Sequence, residues 1–254
     1  MRAYLAFTRK EFYESARTYK LVIMAAVFLL LGVMNPATAK LTPLLLSEFM
    51  PEGITITLGA PTALDSWAQF YKNVPQMGLI VLVILYSGMI SNEFSHGTLI
   101  NMLTKGLSRS TVIISKFTMA VITWSASYAL CFIVTYVYTA YFWSGEGIHH
   151  IIFAALCVWI FGIVLLSVMI FSGVLFKNSY GCLLFTGGFV MLLLLINIIP
   201  KVQEYNPIAL TSNNMALLTG DLSISDFTLP IIISAIVIVG MVGLAIPIFN
   251  KKQL

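Results

Sequence analysis

Six runs of this chain, residues 21–38, 74–91, 117–143, 151–176, 180–199 and 229–249, contain no Asp, Glu, Lys, Arg or His. Each is long enough to cross a bilayer core, which takes roughly 17–25 residues of helix. With 59% hydrophobic and only 9% charged residues, the composition departs far from that of a water-soluble domain. The chain therefore predicts an all-α membrane protein with six transmembrane helices in a single transmembrane domain, 1–254. The segments between spans leave no room for a separate soluble catalytic domain. Before the first run stand Arg2, Arg9, Lys10, Glu11, Glu14, Arg17 and Lys20, in place of the apolar stretch of a cleavable signal. Insertion is expected through the spans themselves.

An even number of crossings puts both ends on one face. Eleven of the 14 lysines and arginines fall on that face, and seven of the ten acidic residues fall on the other. The positive-inside bias then puts both termini in the cytoplasm, with the spans in the cell (plasma) membrane. Cys131, Cys157 and Cys182 all lie within apolar runs, as packing residues do and as a secreted disulfide framework does not.

On the outer face, residues 40–72 carry Pro43, Pro51, Gly53, Gly59 and Pro61, which should restrict helix there to short pieces. The next outer loop, 144–150, is so short that spans three and four should form a tight hairpin. Tyr136, Tyr138, Tyr141, Phe142 and Trp143 would then sit at the headgroup level as an aromatic belt. In the last outer segment, 201–228, Pro207 and Gly220 are a plausible start and stop for a short interfacial helix. On the inner face, residues 2–19 read as an amphipathic interfacial helix. Leu5, Thr8, Phe12, Ala16 and Tyr19 share a narrow stripe, and Lys10, Glu14 and Arg17 fall opposite. Its basic residues, Arg9, Lys10 and Arg17 among them, suit either anionic lipid or a protein partner.

The sizeable inner loop lies between spans two and three and reads SNEFSHGTLINMLTKGLSRSTVIISK from Ser91 to Lys116. Ser91 or Asn92 can cap a helix with Glu93 in its first turn, where the helix dipole favours a carboxylate. Phe94, Leu99, Met102 and Leu103 supply apolar contacts, Gly106 is a plausible stop, and Ser108 can cap the third span. Gly97 costs such a helix about 1 kcal/mol relative to Ala, which suggests that another backbone comes close there.

Glu93, Gly97-Thr98-Leu99, Leu103, Ser108-Arg109 and Lys116, between the second and third of six spans, resemble the permease subunits of type-2 ATP-binding-cassette (ABC) transporters. In that family such a segment looks like a coupling helix seated on a cytoplasmic ATPase, and a basic amphipathic helix precedes the first span. The resemblance implies that Glu93, Phe94, Gly97, Thr98, Leu99, Met102, Leu103 and Arg109 contact the ATPase. It implies that Arg9, Lys10, Glu14 and Arg17 contact the ATPase or the membrane surface. The Pro207–Leu218 stretch resembles the short outer helices that the family carries between its last two spans. Many members have a proline just before the Ser-Arg pair, and here Leu107 stands in its place.

By that resemblance the chain is no enzyme and holds no cofactor or metal of its own. ATP and Mg would belong to the partner ATPase, a second permease chain would complete a dimer, and nucleic acid would play no part. No Gly-rich lysine-Ser/Thr phosphate loop is present. The implied function is export of a hydrophobic or amphipathic substrate such as a peptide, lipid or drug-like molecule. An ion-coupled secondary transporter or channel is the alternative, using the hydroxyls of Thr123, Ser125, Ser127, Thr135 and Thr186 and the amide of Asn197, although no ionisable residue lies within a run to relay ions. An intramembrane enzyme would need nucleophiles or ligands at depth, and adjacent His149 and His150 make poor partners on one helical face. Trp124, Tyr128, Thr135 and Tyr138 recur with Cys131 along one side of span three. Helix packing explains that stripe, and a translocation path is its other reading.

Overall fold

The computed structural model describes residues 2–49, 60–95, 104, 106–143, 147–176 and 178–252, without the side chains of 44–49, 94 and 95. Among these residues six helices are long and apolar enough to span a membrane: Lys20–Pro43, Ala63–Glu93, Arg109–Phe142, Ile151–Leu175, Ser179–Ile196 and Ile224–Lys251. In hydrocarbon a backbone amide finds no water, so an isolated apolar run must bond to itself as helix. The N-terminal helix, Arg2–Arg17, lies against the third span and the start of the first. The first span packs along the third and the sixth along the fourth, which is the most enclosed element. Cys131, Cys157 and Cys182 are buried and reduced.

Up to Phe49 the proline-rich stretch after the first span departs from the sequence expectation, while Pro51, Gly53 and Gly59 lie outside the described residues. The helix of the first span runs unbroken from Lys20 to Phe49 through Pro36 and Pro43. Proline at position 36 removes the donor that would have reached the carbonyl four residues back, that of Gly32. Thr135 of the third span replaces it, donating to Gly32 O at 3.1 Å. The approach needs the glycine, because a Cβ there would lie 3.0 Å from Cys131 O and from the Val134 Cβ. Asn35 and Asn73 complete the patch: Asn73 Nδ2 donates to Asn35 Oδ1 at 3.0 Å, and Asn35 Nδ2 donates to Thr135 Oγ1 at 3.3 Å.

The chain returns through an amphipathic helix, Ala63–Asn73, that joins the second span through a π-helical turn, Val74–Gly78, with Pro75 in its first turn. Thr62 and Asp65 form a capping box at its start. Ser108 caps the third span, its Oγ accepting from the Thr111 N–H at 3.2 Å. Between the last two spans the chain makes three short helices, Pro200–Gln203, Ala209–Ser212 and Asn214–Thr219, and Gly220 ends the last of them at φ 86°. Buried Asn206 secures this return, donating to Leu193 O at 2.7 Å and accepting from the Ile208 N–H at 3.1 Å.

Candidate functional site

At the end of the bundle where both termini lie, the N-terminal helix, the end of the second span and the start of the third meet in a cluster of ionised side chains. Lys116 is 2% exposed, and its ammonium lies 2.9 Å from Glu11 Oε2 and 3.0 Å from Glu93 Oε1. Lys10 bridges the other side, 3.0 Å from Glu11 Oε1, 3.0 Å from Glu93 Oε1 and 2.5 Å from Glu14 Oε2. Phe7 lies beneath both ammonium groups, its ring centroid 5.2 Å from Lys10 Nζ and 6.0 Å from Lys116 Nζ.

Charges so far from water are tolerated only when each is paired in good geometry. The alternation here meets that condition, with Glu11 using both oxygens and Glu93 Oε1 shared between two ammonium groups. Glu11, Glu14 and Glu93 bring carboxylate oxygens within 4.8 Å of one another, close enough to hold a cation. Lys10 and Lys116 fill that role. Burial alone would lower the Lys10 pKa, but the hydrogen bond to Glu14 and the charges of Glu11 and Glu93 outweigh it and raise the value above the ordinary lysine range. The stability Lys10 contributes is therefore fully present at neutral pH and is lost only as the pH rises through that raised value. Lys20, Tyr86 and Asn92 line the same cleft, which encloses about 250 Å³.

This arrangement gives the N-terminal helix a docking face that its apolar stripe does not mark, while the stripe itself stays on the outside, as an interfacial helix requires. Phe7, Glu11 and Ser15 face the bundle, whereas Leu5, Phe12 and Tyr19 are 64%, 48% and 68% exposed. Lys10 and Glu14 turn toward the cluster, while Arg9 and Arg17 stay exposed, Arg9 resting on the Tyr13 ring. Glu93 is 6% exposed and faces the protein interior. Arg109 also turns inward, donating from Nη1 to the backbone carbonyls of Phe249, Asn250 and Lys252. A cation at a helix C-terminus satisfies carbonyls that lack an intrahelical donor. Lys252 completes the clasp by donating to Leu175 O at 3.0 Å. Gly97, Thr98, Leu99, Met102 and Leu103 lie outside the described residues, as does the Phe94 side chain.

The aromatic stripe of the third span is packed into the bundle. Trp124 Nε1 donates to Trp159 O at 3.0 Å and Tyr128 OH to Ala155 O at 2.8 Å, both across the interface with the fourth span. Gly162 makes room for Trp124, since a Cβ there would lie 2.3 Å from its ring. Thr135 serves the Pro36 site, and Tyr138 stands half-exposed beside Phe142.

Sequence reading missed Glu11 and Lys116 as a pair. Two signals were available: Phe7, Glu11 and Ser15 recur at intervals of four residues, and Lys116 abuts an apolar run. Neither names its partner, which lies 105 residues away.

No known family profile matches the chain. Over 138 residues it is 19% identical to the uncharacterized transmembrane protein YxlG of Bacillus subtilis (strain 168), an alignment that covers 52% of this chain and 54% of that protein. The chain thus spans about half the length of the curated relative it matches. Six apolar helices and a relative described as transmembrane agree. This is a multi-pass membrane protein.

Proposed function

We propose that this chain is the membrane-spanning subunit of an ATP-driven ABC exporter, with ATP and Mg held by a separate cytoplasmic ATPase and with both termini in the cytoplasm. The observation that carries the reading is the Glu93–Lys116 ion pair at 3.0 Å. Glu93 stands before the loop between spans two and three and Lys116 after it, so the pair staples the base of that loop. The N-terminal helix is pinned to the same staple through Glu11 and Lys10. A push on the loop by an ATPase would then move the N-terminal helix, span two and span three as one block, which is what a coupling element requires.

Two surfaces suit the rest of the assembly. A groove of about 630 Å³ between the second, fourth and fifth spans is lined mainly by apolar side chains such as Leu79, Val83, Phe161, Val190 and Leu194. It fits a hydrophobic or amphipathic substrate. Only 17% and 11% of the most apolar stretches of the fifth and sixth spans are buried, against 61% for the fourth, leaving apolar faces for lipid or for a second permease chain.

Mild detergent extraction of the tagged chain, followed by mass spectrometry of what co-purifies, tests this. A soluble P-loop ATPase should accompany the wild type and be lost from Glu93→Lys. The Gly97→Trp substitution, which changes no residue of the ion cluster, should weaken the complex as well. Absence of an ATPase, together with transport by the chain alone in proteoliposomes under an ion gradient, would replace the proposal with a secondary transporter.

A further inference from the structure

The opposite end of the bundle carries a pocket of another kind. Between the Ala63–Asn73 helix, the last turns of the third span and the start of the fourth lies a cavity of about 280 Å³, near the lower bound of about 300 Å³ typical of small-ligand sites. Three aromatic rings from two elements line it. Trp67, 1% exposed, closes its inner side, and Tyr136 and Trp143 stand at its rim. The Trp67 and Tyr136 rings are 6.4 Å apart with planes 52° from parallel, so they form two walls of a corner rather than a stack. Phe132 packs behind both, 5.4 Å from Trp67 and 6.3 Å from Tyr136.

The polar content of this cavity decides what fits. Among the described residues no carboxylate lines it; its side-chain hydroxyls are those of Thr139, engaged with Ser66 Oγ at 2.7 Å, and of Tyr136. A sodium ion or a primary ammonium group would give up hydration there without finding a carboxylate to replace it. A cation wrapped in methyl groups gives up little hydration and is attracted by the negative faces of the rings. One further observation favours a cation. By sequence, the segments at this end carry seven carboxylates against three lysines, a field that concentrates cations near the pocket mouth.

We propose that Trp67, Tyr136 and Trp143 form an aromatic cage for a quaternary ammonium group. The group belongs either to a free solute such as choline or to the headgroup of a choline lipid in the adjoining leaflet. The cage lies at the other end of the bundle from the ion-pair cluster and holds whether or not the chain couples to an ATPase.

The test is equilibrium binding of radiolabelled choline to the purified protein in a choline-free detergent, with tetramethylammonium and sodium as competitors. In parallel, native mass spectrometry compares retention of phosphatidylcholine and phosphatidylethanolamine. Saturable choline binding that tetramethylammonium displaces and sodium does not is the expected result, weakened roughly threefold to thirtyfold in Tyr136→Ala and Trp143→Ala. Tyr136→Phe, which keeps the ring face, should bind as wild type does. Preferential retention of phosphatidylcholine with the same dependence on Tyr136 and Trp143 would assign the cage to lipid. Monodisperse, helical protein that binds neither choline nor tetramethylammonium and retains the two lipids equally would overturn the proposal, as would binding that survives both alanine substitutions.

Discussion

The two ends of this bundle are held by opposite chemistry. At the end with the termini, Glu11, Glu93 and Lys116 are nearly removed from water and rely on one another. At the far end the interior polar contacts are neutral: Ser66 with Thr139, Asn35 with Asn73 and Thr135, Asn206 with Leu193 O. Neutral hydrogen bonds fail singly and cheaply, each worth about 0.5–1.5 kcal/mol net. A buried ion cluster is nearly all-or-none, because removing one member leaves the others charged and unpaired. The far end can therefore be remodelled piece by piece, while the termini end holds its helices in one arrangement or releases them together.

The sharpest way to break this contrast is Lys116→Met. It leaves Glu11 without its closest cation and should destabilise the protein by about 3–5 kcal/mol, read as loss of the folded form in denaturant titration in mixed micelles. Adding Glu11→Gln and Glu93→Gln to the same chain should recover most of the loss. No recovery would mean that Lys116 acts through packing and not through charge. At the far end, Asn35→Leu should cost less, about 1–3 kcal/mol, since it strips partners from Asn73 and Thr135 without stranding a charge. Thr139→Val should cost about 1 kcal/mol in the same assay. Glu14→Ala comes last: its carboxylate is 41% exposed, so its pairing with Lys10 is screened and should contribute below about 1 kcal/mol. That small loss should shrink further in high salt, whereas the Lys116→Met loss should hardly respond. Equal salt sensitivity of the two would show that water reaches the cluster freely and that the contrast between the ends is false.

The spans were legible because hydropathy is a local property, and runs such as 151–176 declare themselves without reference to anything else. The helix through Pro36 and Pro43 was not, because the sequence penalty for proline is local while its remedy is remote. Thr135, about 100 residues later, supplies the missing donor. The docking face of the N-terminal helix was hidden for the same reason. Its apolar stripe stays exposed, and the docking face is marked instead by Glu11, a residue that reads as solvent-facing until Lys116 is placed beside it. Arg109 stood out in the sequence through the Ser-Arg pair, but its three carbonyl acceptors belong to the far end of the chain. What periodicity could reveal was which residues share a face, and what it could not reveal was which face meets which neighbour.

The clasp of Arg109 on the end of the sixth span changes how displacement travels through the molecule. Along the chain, the start of the third span and the last turn of the sixth are separated by the whole of the fourth and fifth. With one guanidinium holding the last turn of the sixth span to the first residue of the third, the chain is closed into a ring. A tilt of the third span then reaches the last helix in a single step, and the two must swing together or part at Arg109.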